Sequence, residues 1–429
     1  MIRRVVLVAL DWGRDKDPAI SLGHASIIAR LAMEPDIEVV PLSFAVNAPE
    51  FSEGEVLAAI IRAVAGRDAF VAIGAFIWNE RVVKRLLPAL RRAGFNGQII
   101  LGGPQVSYAP PGVDSQYPEA NVFIRGHAED ALAEFVKSND LSLPVGVSVH
   151  GADTVAQSAK PDLALLPSPL LTGTLKPGHF VRWEAQRGCP YSCSFCQHRE
   201  SGLRMRFRVL PPGRLMRELE VLVSSGVGNI AVLDPVFNMN PHAEAILRLL
   251  ADHGYSGRLS LQCRFELLTP AFLDACRTLN VTLEFGLQTI HDAEMRAIKR
   301  RNDLSKVDRA IASLHAHDIR FEVSLIYGLP EQSMASFRAS VDWCLDHGVP
   351  VVRAFPLMLL RGTELDTDRD RWRLVESDDA IPVVIESSTF SRAEWNEMND
   401  MASALEQATL GTRTGHDRVR PDLLPGTGE

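Results

Sequence analysis

No apolar run in the 429 residues reaches the ~18 that a membrane-spanning helix needs, which excludes a helical membrane protein. Basic surplus is also missing. Lys and Arg number 45 against 53 Asp and Glu, for a net charge of −8, which argues against a nucleic-acid binder working by bulk electrostatics. Cysteine is scarce: six residues in a chain this long do not make a disulfide framework. Nor is a secretory leader expected. The run Ile2 to Leu10 meets Asp11 too soon and lacks a small-residue cleavage site, so it reads as a first buried strand of a cytoplasmic protein. With 46% hydrophobic and 23% charged residues, wholesale disorder is excluded, and at roughly 100–200 residues per domain the length suggests two or three domains.

What is present is alternation. Strand patterns at Arg4–Leu10, Ile37–Leu42, Ala69–Gly74, Gln98–Leu101 and Asn121–Ile124 alternate with helical patterns near Gly23–Met33, Gly54–Ala65, Glu80–Ala93 and Glu129–Lys137. This predicts a doubly wound parallel sheet over residues 1–140, with ligands held beyond the strand C-termini. Residues 141–178, rich in Pro, Ser and Gly, read as a linker. A second series runs from a strand at Phe180–Ala185 to one at Val349–Pro356. Six strands and five intervening helices predict a partial (β/α)6 barrel over 179–365, with chemistry at the strand ends. Residues 366–410 read as a less regular extension, and 411–429 as a disordered tail.

Three cysteines fall within eight residues. In Arg187-Gly188-Cys189-Pro190-Tyr191-Ser192-Cys193-Ser194-Phe195-Cys196 the spacing is C-x3-C-x2-C. Thiols crowded among polar and turn residues point to metal. Thiolates are the usual ligands of iron–sulfur clusters, which normally take four. Three on one tight loop can hold three irons and leave the fourth open to an exogenous chelator. Structural zinc, with His198 completing a Cys3His set, is the other reading of this segment alone.

Further motifs recur at successive strand ends. They are Leu233-Asp234-Pro235-Val236-Phe237-Asn238, then Glu284-Phe285-Gly286-Leu287-Gln288-Thr289, then Ile326-Tyr327-Gly328-Leu329-Pro330. Phe355-Pro356-Leu357 and Arg361-Gly362-Thr363-Glu364-Leu365 follow. Taken singly they are half-buried polar residues or ordinary turns. In this order behind the cysteine loop they resemble the radical S-adenosylmethionine (radical SAM) superfamily. Arg361 departs from the family's P-G-T-x-L element, which has proline there. The resemblance implies a [4Fe–4S] cluster on Cys189, Cys193 and Cys196, with S-adenosylmethionine chelating the fourth iron. It further implies that Phe195, Asp234, Glu284, Gln288, Gly328 and Pro330 hold that nucleotide, and that flavodoxin or ferredoxin is the reductant.

The N-terminal half resembles the cobalamin-binding domain that precedes many radical SAM barrels. Its supporting text is Ser21-Leu22-Gly23-His24-Ala25-Ser26, Leu101-Gly102-Gly103-Pro104 and Arg125-Gly126-His127-Ala128-Glu129. The resemblance implies cobalamin near Gly102, Gly103 and Gly126, glycine allowing close approach of backbone to a bulky tail. The D-x-H-x-x-G motif that gives a histidine to cobalt is absent, and His24 and His127 read as solvated loop or cap residues. Two readings stand: cobalamin bound without a protein ligand to cobalt, or a domain that keeps the fold alone.

Cys276 and Cys344 lie in amphipathic helices and read as buried hydrophobes. Cys263, with Arg264, ends a strand, so either could face the barrel mouth and a substrate. The resemblance therefore implies an enzyme transferring a carbon group, a methyl by way of cobalamin, to a small-molecule acceptor of specialised metabolism such as antibiotic biosynthesis. Two alternatives stand beside it. One is cobalamin-independent transfer of the 3-amino-3-carboxypropyl group to a soft acceptor such as trivalent arsenic, as in arsinothricin biosynthesis. The other is a zinc-stabilised nucleotide- or corrinoid-sensing module. No nucleic-acid or membrane partner is expected.

Overall fold

The computed structural model describes residues 2–65, 68–138, 143–153, 157–198 and 207–411. It divides into two units, Met1–Val181 with Glu220–Ser225, and Arg182–Leu219 with Gly226–Glu429. Among the described residues no helix is long and apolar enough to cross a membrane.

In the first unit the chain runs β1 (Arg3–Asp11), α1 (Leu22–Leu31), β2 (Ile37–Ala45), α2 (Glu53–Val64), β3 (Ala69–Gly74) and α3 (Glu80–Arg92). It continues through β4 (Gln98–Gly102), α4 (Pro104–Ser107), β5 (Val122–Ile124), α5 (Ala128–Lys137) and β6 (Val147–Val149). The sheet order is β2-β1-β3-β4-β5-β6, so the winding reverses between β1 and β3, where ligands of such sheets bind. Alternate residues of β1 serve opposite faces. Val6, Val8 and Leu10 pack with Val56, Ile60, Val83 and Leu87, whereas Val5 and Leu7 pack with Leu31, Leu132 and Val136. Burial on both faces explains the unbroken apolar runs, and each such side chain contributes roughly 1.5–3 kcal/mol.

The expected linker is different in structure. Val147–Val149 pairs antiparallel with β5 as an edge strand. Asp153 makes a fully buried ion pair with Arg125 at 2.7 Å. Ala159 accepts the His127 N–H and donates its own to Arg125 O, at 3.0 and 2.8 Å. A three-residue strand carries too little periodicity to be read, and its partners are distant in sequence.

The chain then runs through β7 (Phe180–Trp183), β8 (Gln186–Arg187), β9 (Arg208–Val209), α6 (Pro212–Ser224), β10 (Asn229–Val232), α7 (Ala243–Asp252), β11 (Arg258–Cys263) and α8 (Pro270–Cys276). Next come β12 (Asn280–Gln288), α9 (Asp292–Ala297), α10 (Leu304–Ala316), β13 (Arg320–Tyr327), α11 (Met334–Asp346) and β14 (Val352–Pro356). Six strands lie in chain order, β7-β10-β11-β12-β13-β14, as successive parallel crossovers dictate. Helix starts follow local chemistry: Thr269 precedes Pro270 and caps α8, and Ser333 and Ser336 form a capping box on α11.

Beyond Leu365 the chain is more regular than expected. It forms α12 (Glu364–Thr367), α13 (Arg369–Trp372), β15 (Val375–Glu376), β16 (Val384–Glu386) and the 20-residue α14 (Arg392–Gly411). The buried stripe Met398, Met401, Ala402 and Leu405 seats α14 along β14, β13 and α11. Residues 412–429, within the expected tail, lie outside the described residues.

Candidate functional site

The cysteine loop begins at the strand end. Gly188, at φ +90°, turns the chain out of β8 into Cys189. Cys189, Cys193 and Cys196 are free thiols, each half-buried. Ser194, buried between the last two, is the anchor. Its N–H donates to Ile298 O at 2.9 Å, its Oγ to Ala297 O at 3.1 Å, and its carbonyl accepts from Leu365 N at 3.0 Å. Gln197 Nε2 donates to Arg361 O at 2.9 Å, tying the loop's far end to the segment after β14.

Burial pushes the Cys196 thiol up to about 11, and the nearby Cys193 and Cys189 add to this while Arg300 opposes it. Cys189 is raised for the same first reason. The three sulfurs therefore sense one another's charge, and binding a metal must displace protons. Among the described residues no three His, Cys, Asp or Glu side chains converge closely enough to hold one ion, the Cys3His set of the zinc reading included. A cluster held by separate iron corners does not require such convergence. The donor set fits three irons of a [4Fe–4S] group.

Asp234 departs from its expected place beside the nucleotide. It is fully buried, and Oδ1 accepts the N–H groups of Ala185 and Gln186 at 2.8 and 3.1 Å. Burial drives its carboxyl up to about 7, outweighing those two hydrogen bonds. It braces the hand-over from β7 to β8, just ahead of the cysteines.

Cys263 does not face the mouth either. It is buried, its thiol raised far above the ordinary range by burial, with Cys276 of α8 adding to the effect. It shares a strand face with Leu259 and Leu261, whereas Gln262 is the exposed neighbour, in register with Glu284. Arg264 meets the cysteine loop instead: its guanidinium lies over the Tyr191 ring at 4.0 Å and pairs with Glu266 at 3.3 Å. Asn238 fixes the Arg264 backbone through both its N–H and its carbonyl, at 3.0 and 2.8 Å. Cys276 and Cys344 are buried.

The strand-four motif has a local logic. Glu284 is half-buried, raised first by burial and then by Glu322, which itself pairs with Arg353 at 3.0 Å. Gln288 adopts φ +71° and folds its side chain back over Gly286, where a Cβ would collide with it. Its buried Oε1 has no hydrogen-bond partner. Arg300 crosses behind, with Nη2 donating to Gly286 O and Nη1 to Cys193 Sγ at 3.8 Å.

At strand five, Gly328 has φ +86°, and a Cβ there would press on Val384 O at 3.2 Å. Its side-chain direction thus faces the C-terminal extension. Gln332 Oε1 accepts the N–H of Gly328 at 2.7 Å and of Leu329 at 3.1 Å, closing the turn before buried Pro330. Phe195 is half-buried on the cysteine loop. Gln332, Arg300 and Asn238 were not found from sequence. A Gln soon after a Gly-Leu-Pro turn could have signalled turn closure, whereas Arg300, within Lys299-Arg300-Arg301, reads as a solvated charge run.

In the first unit the glycines serve the chain itself. A Cβ on Gly103 would strike Ala75 O at 2.6 Å, and Gly126 and Gly103 both have φ +86°. Gly102 is in ordinary contact only, 3.6 Å from Ile124 O. These contacts account for Gly103 and Gly126 without a ligand. His24 is buried rather than solvated, 8% exposed; burial lowers it to about 4, and its Nε2 has no partner. His127 occupies the N-cap position of α5 without a side-chain capping bond.

Comparisons with known proteins meet this geometry. The radical SAM superfamily model matches residues 183–344. The carbapenam methyltransferase of Streptantibioticus cattleyicolor, 2-(S-pantetheinyl)-carbapenam-3-carboxylate methyltransferase, is 25% identical over 384 residues, 78% of this chain and 56% of that protein. The cobalamin-dependent radical SAM methyltransferase TokK of Streptomyces tokunonensis is 26% identical over 328 residues, 69% of this chain and 48% of that one. The chain thus spans about half the length of these two relatives. The radical S-adenosylmethionine methyltransferase TsrM of Kitasatospora setae, solved with cobalamin and a [4Fe–4S] cluster, shares the fold at TM-score 0.70 and 17% identity, covering 93% of this chain and 82% of that one. The radical SAM match is thus to residues 183–344, and over most of its length the chain resembles cobalamin-dependent radical SAM methyltransferases.

Proposed function

We propose that this chain is a radical SAM methyltransferase acting on a small-molecule acceptor in antibiotic-type metabolism, with residues 179–365 as its catalytic barrel and 1–140 as a cobalamin-binding domain. The observation that carries the reading is the trio of half-buried thiols on one braced loop at the end of the first barrel strand. Methyltransferase relatives with curated functions support the group transferred. When bound, the cluster supplies one electron to S-adenosylmethionine and cobalamin supplies a transferable methyl group.

The protein's own share is placement. Cys189, Cys193 and Cys196 would hold three irons. Ser194 fixes the loop between them, and Arg300 sets positive charge beside Cys193. The unpartnered Gln288 Oε1 and the turn at Gly328 to Pro330 would meet the nucleoside, with Phe195 beside it. Asp234 acts one step back, through the backbone that leads into the loop. A flavodoxin or ferredoxin would deliver the electron. Burial of Cys263 removes the thiol that would have met a thiophilic acceptor, and with it one support for aminocarboxypropyl transfer.

Anaerobic reconstitution with and without hydroxocobalamin, followed by analysis of labelled S-adenosylmethionine, tests the reading. 5′-Deoxyadenosine with a methylated product, dependent on cobalamin, is expected. Methylthioadenosine with an aminocarboxypropyl adduct would overturn it.

A further inference from the structure

The segment after strand four makes two sets of contacts at opposite ends of a short helix. Thr289 Oγ1 donates to Glu294 Oε2 at 2.5 Å, in the first turn of α9. The same oxygen accepts from Gln332 Nε2 at 3.2 Å. Gln332 in turn closes the Gly328 turn through Oε1, as described above, and Nε2 donates again to Ile326 O at 3.1 Å. Glu294 is 1% exposed and Gln332 is 0% exposed, so neither can trade these partners for water. At the other end of α9 the carbonyls of Ala297 and Ile298 receive the hydroxyl and N–H of Ser194, between Cys193 and Cys196. Asn302 Nδ2 pins the following loop back to Leu287 O at 2.7 Å.

Resting on the nucleoside reading of the strand-five turn, we propose that Glu294 and Gln332 are positioning residues that couple occupancy of that turn to the shape of the cysteine loop. A nucleoside seated at Gly328 to Pro330 fixes Gln332, Gln332 fixes Glu294, and α9 carries the constraint to Ser194 as a rigid element. Binding linkage makes the effect reciprocal: an ordered cysteine loop favours the occupied turn by the same factor. Both residues act through others and need touch neither ligand.

5′-Methylthioadenosine is the probe, a nucleoside thioether without the amine and carboxylate that could chelate iron. Its adenine can touch the cysteine loop only at Phe195, so the share of any loop effect that travels through α9 is the share that Glu294→Ala removes. Hydrogen–deuterium exchange on the anaerobically reconstituted full chain compares peptides covering 326–333 and 187–198. In the wild type, exchange slows in both, several-fold in the loop. In Glu294→Ala the turn keeps its protection and the loop loses it. Glu294→Gln restores it, because one amide oxygen can accept both donors. Thr289→Val, nearly isosteric and less disruptive to folding, weakens loop protection in the same direction. Protection confined to the turn in the wild type, or undiminished loop protection in Glu294→Ala or Thr289→Val, overturns the coupling. No protection of either wild-type peptide overturns the nucleoside reading beneath it.

Discussion

Arg300 Nη1 stands 3.8 Å from the sulfur of Cys193, close enough for a charge-assisted N–H···S contact. A cation beside a cluster ligand favours the more negative, reduced cluster, so with Cys193 as an iron ligand Arg300 would raise the reduction potential. Arg300→Leu should lower it by on the order of 50 mV, since ~59 mV corresponds to a tenfold change for one electron. A redox titration of reconstituted protein followed by electron paramagnetic resonance measures this. An unmoved potential contradicts the role.

Asp234 makes the stability of the second unit depend on pH. Its carboxyl is raised from 3.8 to about 7 in the folded protein, chiefly by burial. The neutral acid is favoured in the fold, so its contribution is full below the unfolded value and is lost as pH rises through the folded one. Asp234→Asn should therefore flatten the decline between those limits, a difference on the order of a few kcal/mol. Urea denaturation of the variant and wild type at pH 5 and pH 8 checks the slope.

Asp153 behaves with the opposite sign. Burial would raise its carboxyl, but Arg125, the Val113 N–H and Ser148 together hold it below the usual range. Its contribution is present above the ordinary carboxylate range and is lost as pH falls toward the depressed folded value. Asp153→Ala strands a fully buried guanidinium, and about 3–5 kcal/mol of stability should go with it. The readout is denaturant unfolding followed by fluorescence of the first-unit tryptophans, Trp12 and Trp78.

Gly328→Val should weaken S-adenosylmethionine binding, because the turn cannot keep φ +86° under a β-branched side chain pressed on Val384 O. The same strain should loosen the C-terminal extension, lowering stability by roughly 1–3 kcal/mol. Gly328→Ala should show the smaller version of both effects. Equilibrium binding and thermal melts separate them, and full affinity with an unchanged melt would remove this placement of the turn.

Much of the scaffold was readable because burial leaves a periodic trace. Ala69–Gly74 was placed to the residue, and the cysteine spacing pointed to metal, as an iron–sulfur cluster or as zinc. Two misses were legible. Cys263 shares parity with Leu259 and Leu261, which places it on the helix-covered face, and the Met398, Met401, Leu405 stripe announces α14. Other features carry no local signal. Asp234 turns inward to backbone 48 residues away, and Gln332 meets Glu294 across 38. Such contacts are fixed only once the strands are in register.

The most direct test of the central claim is the electron paramagnetic resonance spectrum of anaerobically reconstituted, reduced protein, with iron and sulfide counted, before and after S-adenosylmethionine. About four irons and four sulfides per chain are expected, with a spectrum that shifts when the nucleotide binds and disappears in Cys193→Ala. One zinc and no sulfide, or a cluster signal indifferent to S-adenosylmethionine, would contradict the account.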